Sequence, residues 1–254
     1  MGTEVWRKNM NGEKNNYWFN GGVALAAGLI MASIIFGWFY SNAKKGDEAI
    51  TVTGSAKKRI KSDLVVWSAG VSAQSGQLTE AYKQLSDGMP KIKQYLINKG
   101  IPESQMTVSS ISTTTLKKQD DRGIESSEIT GYALSQHVEV RSNDVDKVAQ
   151  IAREATELIN QGILIQSEPP QYYYTQIGDL KIEMLGEAAK DAKVRAEKIA
   201  ASTGNSIGAV KSAKMGVLQI TPADSTEVSD SGISDTTTID KDMTAVVNVS
   251  FAVN

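Results

Sequence analysis

The 254-residue chain contains no cysteine. Disulfides, thiolate catalysis, cysteine-ligated zinc and iron–sulfur clusters are therefore excluded. Its single histidine, His137, removes multi-histidine metal sites and haem ligation by a histidine pair. There is no basic surplus either: 27 Lys and Arg stand against 29 Asp and Glu, a net charge of −2. A nucleic-acid binder would carry a basic excess or stripe, so no nucleic-acid partner is expected. No G-x-x-x-x-G-K-[ST] or G-x-G-x-x-G string cradles a phosphate. A Ser-His-acid site would have to use His137, which lies on a strand-like segment with Ser135, Glu139 and Arg141 and reads as a solvent-facing or interface residue. Asp120, Asp121 and Glu125 could pair as carboxylates, but a polar connection offers no pocket to move their ionisation. No enzymatic activity, cofactor or metal is expected.

What the chain does have begins near its start. Between Lys14 and Lys44 there are 29 positions without a charge. Within them Val23 to Tyr40 reads VALAAGLIMASIIFGWFY. At 1.5 Å per residue this run spans about 27 Å as a helix, close to the ~30 Å hydrocarbon core of a bilayer. Tyr17, Trp18 and Phe19 flank one end, and Trp38, Phe39 and Tyr40 the other. Rings with an apolar body and a polar edge settle at the headgroups, so these six are read as membrane-interface anchors. The predicted organisation is a short cytoplasmic tail over 1–20, a transmembrane helix over 21–40 and a polar linker over 41–48. A cleaved signal peptide is the competing reading, with Ser41-Asn42-Ala43 as its cleavage site. The long apolar run and the twenty-residue tail before it favour a retained anchor. Arg7, Lys8 and Lys14 are balanced by Lys44 and Lys45, and then by Lys57, Lys58 and Arg59, so flanking charge leaves orientation open. A short tail, a large following domain and the lack of cysteine fit export of that domain. Ala24, Gly28 and Ala32, four apart, offer a face for close helix pairing.

Residues 49–254 alternate strand-like and helix-like segments, which predicts an α+β domain: an antiparallel-rich sheet packed by about three helices. Val65, Trp67, Ala69, Val71 and Ala73 alternate as one face of a strand. Leu78, Ala81, Leu85, Met89, Ile92 and Leu96 follow at helical spacing, with a kink or break expected near Gly88 because of Pro90. Met106 to Leu116 and Glu128 to Arg141 read as strands joined by the polar loop Lys117 to Ser127. Asn143 is the expected cap of a second helix. The third helix, Asp179 to Ser202, carries an alanine-rich stripe through Leu185, Ala188, Ala189, Ala192, Ala196, Ile199 and Ala200. Two further strands, Ala209 to Ile220 and Thr244 to Val253, enclose residues 222–240. That segment is acidic, rich in Ser and Thr and without Lys or Arg; its composition predicts a mobile loop or interface arm that adds nothing to a core.

Several strings within this order resemble the SIMPL domain family (domain of unknown function 541) of bacterial envelope proteins. They are Ile50-Thr51-Val52-Thr53-Gly54-Ser55, Gly100-Ile101-Pro102, Ile129-Thr130-Gly131-Tyr132 and Gly162-Ile163. Glu187-Ala188-Ala189 through Lys198-Ile199-Ala200, Gly204 and Ile207-Gly208 continue them. The resemblance covers 49–254. It implies an exported α+β domain, self-assembly into rings or channels, and a link to stress defence, but no catalytic residues. The expected place is the bacterial inner membrane, single-pass, with the large domain in the periplasm. Tyr172, Tyr173 and Tyr174 are the candidate interface, since tyrosine is enriched where subunits meet. The expected partners are further copies of the chain and the lipid bilayer. The alternative is a monomeric, membrane-tethered binding module for an envelope protein or cell-wall glycan.

Overall fold

The computed structural model describes the backbone of residues 14–45 and 48–254, and the side chains of residues 21–40 and 48–254. The chain divides into two compact units: residues 1–53, 192–214 and 248–254, and residues 54–191 and 215–247.

The first unit contains helix α1 (Lys14–Lys45), which runs beyond the expected span at both ends and includes most of the expected linker. The segment Gly21–Tyr40 has a mean hydropathy of 2.1, and none of it is buried by protein. An apolar helix with no protein cover is long enough and apolar enough to cross a bilayer. Trp38, Phe39 and Tyr40 are exposed, and Tyr40 stacks on Phe36 one turn earlier. The tail over 1–13 and the side chains of Tyr17, Trp18 and Phe19 lie outside the described residues. The same unit holds the start of β1 (Ala49–Lys61), the end of α4 (Ile177–Ser202), β8 (Ile207–Met215) and the end of β10 (Asp240–Val253). Thr51 and Thr53 donate hydroxyl hydrogen bonds to Ser250 and Asn248, at 3.2 and 2.6 Å. Ala192, Ala196 and Ala200 are fully buried, each four residues on from the last. Ala189 and Ile199, expected in the stripe, are exposed. The buried seam is narrower than the sequence suggested because residues spaced by four keep to one line along the helix.

The second unit is built on a six-stranded antiparallel sheet. At its centre β2 (Leu64–Ser75) pairs with the second part of β5 (Glu125–Ser142), from Tyr132 to Ser142. β3 (Met106–Val108) and β4 (Ser112–Gln119) add to β5; β6 (Ile165–Ser167) and β7 (Gln171–Tyr173) add to β2. The alternating set Val65, Trp67, Ala69, Val71 and Ala73 is buried as expected, facing α2 (Leu78–Asn98) and α3 (Val145–Glu154). Trp67 is 1% exposed and its indole N–H donates to Ser167 Oγ at 3.1 Å. α2 runs unbroken through Pro90. Losing one backbone bond there costs about 3 kcal/mol, which the buried Leu85, Met89 and Ile92 offset at roughly 1.5–3 kcal/mol each. Gly88 serves packing: a Cβ there would lie 2.9 Å from Val71 Cγ2. α3 is capped by Asp144, which accepts from Lys147 N–H, whereas Asn143 donates to the Asp63 carbonyl. In the same unit β9 (Gln219–Pro222) pairs antiparallel with β10, Gln219 opposite Thr244.

Gly131, in one of the family-like strings, has a steric reason to be glycine. A Cβ there would sit 2.8 Å from the Ser75 carbonyl oxygen, a backbone atom that cannot swing aside. Gly131→Ala is expected to cost about 1–3 kcal/mol. A fall of the thermal midpoint checks this; an unchanged midpoint would show that the strands part without strain.

Candidate functional site

β4 and the first part of β5 form a ribbon of unusual exposure. From Ser112 to Thr130 every residue except Leu116 is exposed, on both faces of the ribbon. The expected polar loop is thus mostly strand, closed by a tight turn in which the Asp120 carboxylate accepts from Arg122 and Ile124 N–H, both at 2.9 Å. Lys117 pairs with Glu125 at 3.8 Å and Lys118 with Glu128 at 3.1 Å, so the charges hold the two strands together. Ile124 and Ile129 are 61% and 53% exposed. A two-stranded ribbon without a packed face is marginal by itself in water. β4 is bonded to β5 alone, which leaves its other edge of N–H and C=O groups unpaired. β8 is a second exposed strand, paired with β10 alone.

The acidic segment 222–240, expected as a mobile loop or interface arm, is bonded back onto its own unit. Its backbone is tied down by Thr236 O accepting from Tyr172 N–H at 2.8 Å and Ile239 O accepting from Ser62 N–H at 2.9 Å. Below it, Lys241 and Asp242 are each 1% exposed. Lys241 Nζ donates to the Asp235 carboxylate at 2.8 Å and to the Asp235 carbonyl at 2.7 Å. Burial works against the Asp235 charge, but bonds from Lys241, Thr238 and Thr237 outweigh it and hold the carboxyl well below the usual range. Asp242 accepts from Arg59 Nε at 3.0 Å, Lys57 Nζ at 2.9 Å and Asp224 N–H at 2.8 Å. Those bonds, Arg59 first, hold its carboxyl well below the usual carboxylate range against the opposing effect of burial. This cluster was not read from the sequence. One signal was present: Lys241 is the only basic residue after Lys214, directly behind an acidic stretch.

The tyrosine triplet is divided between core and surface. Tyr172 is 9% exposed and belongs to the hydrophobic core, which withdraws it from the candidate interface. In a strand neighbours point to opposite faces, so Tyr173 is turned outward, its hydroxyl donating to Gln171 Oε1. All three tyrosines still line one cavity of about 140 Å³ with Ile177 and Thr236. His137 lies opposite Gly70 on β2, and its ring fills the space over that glycine: an added Cβ would meet His137 Cδ2 at 2.5 Å. Its backbone N–H donates to Ser109 Oγ at 3.1 Å. Among the described residues no group of three or more His, Asp or Glu side chains is positioned to hold a metal ion.

No curated protein matches the chain. A family model does, over residues 50–251: SIMPL, described as a protein of unknown function (DUF541). The match takes in both units and follows directly on the apolar helix, so the chain belongs to the SIMPL family.

Proposed function

We propose that this is a non-enzymatic, membrane-anchored envelope protein whose copies assemble into a ring or channel through exposed strand edges. The observation that carries the reading is the β4–β5 ribbon, exposed on both faces from Ser112 to Thr130 apart from Leu116. Such a ribbon gains packing when a neighbouring copy covers it. The open edge of β4 carries serine and three threonines before its two lysines, so half of it has little charge to oppose pairing. Anchoring by α1 would raise the local concentration and turn weak lateral contacts into effectively intramolecular ones. A head-to-tail contact that closes gives a ring, and one that does not gives a filament. The stress-defence role implied by the resemblance belongs to this reading.

The test is the mass of the full-length protein in mild detergent by light scattering. A discrete multiple of the chain mass is expected; a single-chain mass at micromolar concentration would replace assembly with a tethered binding module. The anchor leaves the large domain outside the cytoplasm in this reading. Protease added to spheroplasts is expected to digest residues 49–254. Protection of the domain, with loss of the first residues alone, would reverse the topology.

A further inference from the structure

The face of the β9–β10 ribbon bearing Gln219, Thr221, Thr244 and Val246 is roofed by residues 225–230, enclosing a cavity of about 440 Å³ within the second unit. Its mouth is apolar: Val217 is 45% exposed, and Val228 is 84% exposed, a high value for a valine. Glu227 and Asp230 also line it, and neither carboxylate has an ion-pair partner among the described residues. No Lys, Arg or aromatic residue takes part in the lining. Gln219, 8% exposed, supplies an independent sign of a missing ligand. Its Nε2 donates to the Ser229 carbonyl at 2.6 Å, but its Oε1 is buried and accepts no hydrogen bond. A buried acceptor left without a donor costs about 1–3 kcal/mol.

These features select one ligand chemistry. Free carboxylates and an unfilled acceptor call for a group rich in N–H donors and positive charge. Valine walls call for methylenes. The absence of basic residues disfavours anions, and the absence of an aromatic platform disfavours a stacked sugar. We propose that the cavity binds a linear aliphatic polyamine, its ammonium groups held by Glu227 and Asp230, its stem on Val217, Val228 and Val246, and one N–H directed toward the Gln219 floor. This site is separate from the β4–β5 ribbon and does not depend on assembly.

The test is titration calorimetry on full-length protein in neutral detergent, with spermidine and putrescine as probes and 1,4-butanediol as the uncharged control of the same stem length. Saturable spermidine binding tighter than about 1 mM is expected, with none for the diol. Glu227→Gln/Asp230→Asn, at two exposed positions, should weaken it about tenfold at an unchanged thermal midpoint. Val228→Ser should weaken it as well, because part of the affinity comes from the stem. No saturable binding would overturn the proposal. So would affinity unaffected by the double variant, or equal affinity for calcium at the same stoichiometry, since either reduces the cavity to a patch of negative charge.

Discussion

Lys241→Met is expected to destabilise the second unit by about 3–5 kcal/mol, the range for removing one partner of a buried ion pair. The reason is what stays behind. The Asp235 carboxylate, 6% exposed as a side chain, would keep its bonds from Thr237 and Thr238 but lose its one cationic partner among the described residues. The Asp235 carbonyl would lose its donor at 2.7 Å in the same step. Methionine fills the space of the lysine stem, so the loss reports the charge rather than a cavity. Lys241→Met/Asp235→Leu should recover part of it, because an apolar pair carries no desolvation cost. Urea unfolding of the parent, Lys241→Met, Asp235→Leu and the double variant gives the coupling directly. Equal unfolding energies for Lys241→Met and the parent would show that water already reaches the pair. The same carboxylates fix the acid response. Asp235 and Asp242 have lowered folded-state values, so their contribution is fully present above the unfolded carboxylate value of about 3.9 and is lost as pH falls through the folded values. These two groups leave the midpoint flat from neutral pH down to about 5 and lower it below about 4.

Removing the tip of the ribbon, residues 117–128, and joining Leu116 to Ile129 through an Asn-Gly turn is expected to abolish assembly while leaving the fold intact. The deleted residues are all exposed, so they contribute almost nothing to the core. Their ion pairs at 3.8 and 3.1 Å are solvent-exposed and worth about 0–1 kcal/mol each. Asn-Gly suits the tight turn that a two-residue hairpin requires. Light scattering in mild detergent should then give the mass of one chain in its micelle, with a thermal midpoint close to that of the parent. An assembled mass that survives the deletion would assign the contact to the retained Ser112–Thr115 edge of β4 or to another open edge, of which β8 is the longest exposed candidate in its unit. A misfolded product would mean that the ribbon guides the pairing of β5 with β2.

Much of the fold could be read because its signals are local. Twenty-nine uncharged positions describe α1 whatever surrounds them. Alternation from Val65 to Ala73 and helical spacing from Leu78 to Leu96 mark their buried faces before any partner is known. The misreadings share the opposite character. The polar Lys117–Ser127 stretch carries no apolar alternation, and it is strand because β4 and β5 continue their ladder past the end of the core. Tyr172 and Tyr173 are one residue type in one string, and only pairing with Val65 and Leu64 of β2 sends the first inward and the second out. Pro90 predicts a kink or a break near Gly88, and the buried face of α2 overrides the break.

By itself, then, the sequence determined the apolar helix, the α+β order of elements and the family, each written in residue spacing or in short ordered strings. The tertiary structure alone decided which charges are buried and which strands are bare. Arg59 and Asp242 lie 183 residues apart and meet only because β1 pairs with β10. The 222–240 segment has the composition of a solvated loop, yet it is fixed by Tyr172, Ser62 and Lys241, contacts that composition does not encode. Local periodicity specifies which face of an element is apolar; burial of a charge and exposure of an edge depend on what distant parts of the chain bring against them, and that is settled only when the chain has folded.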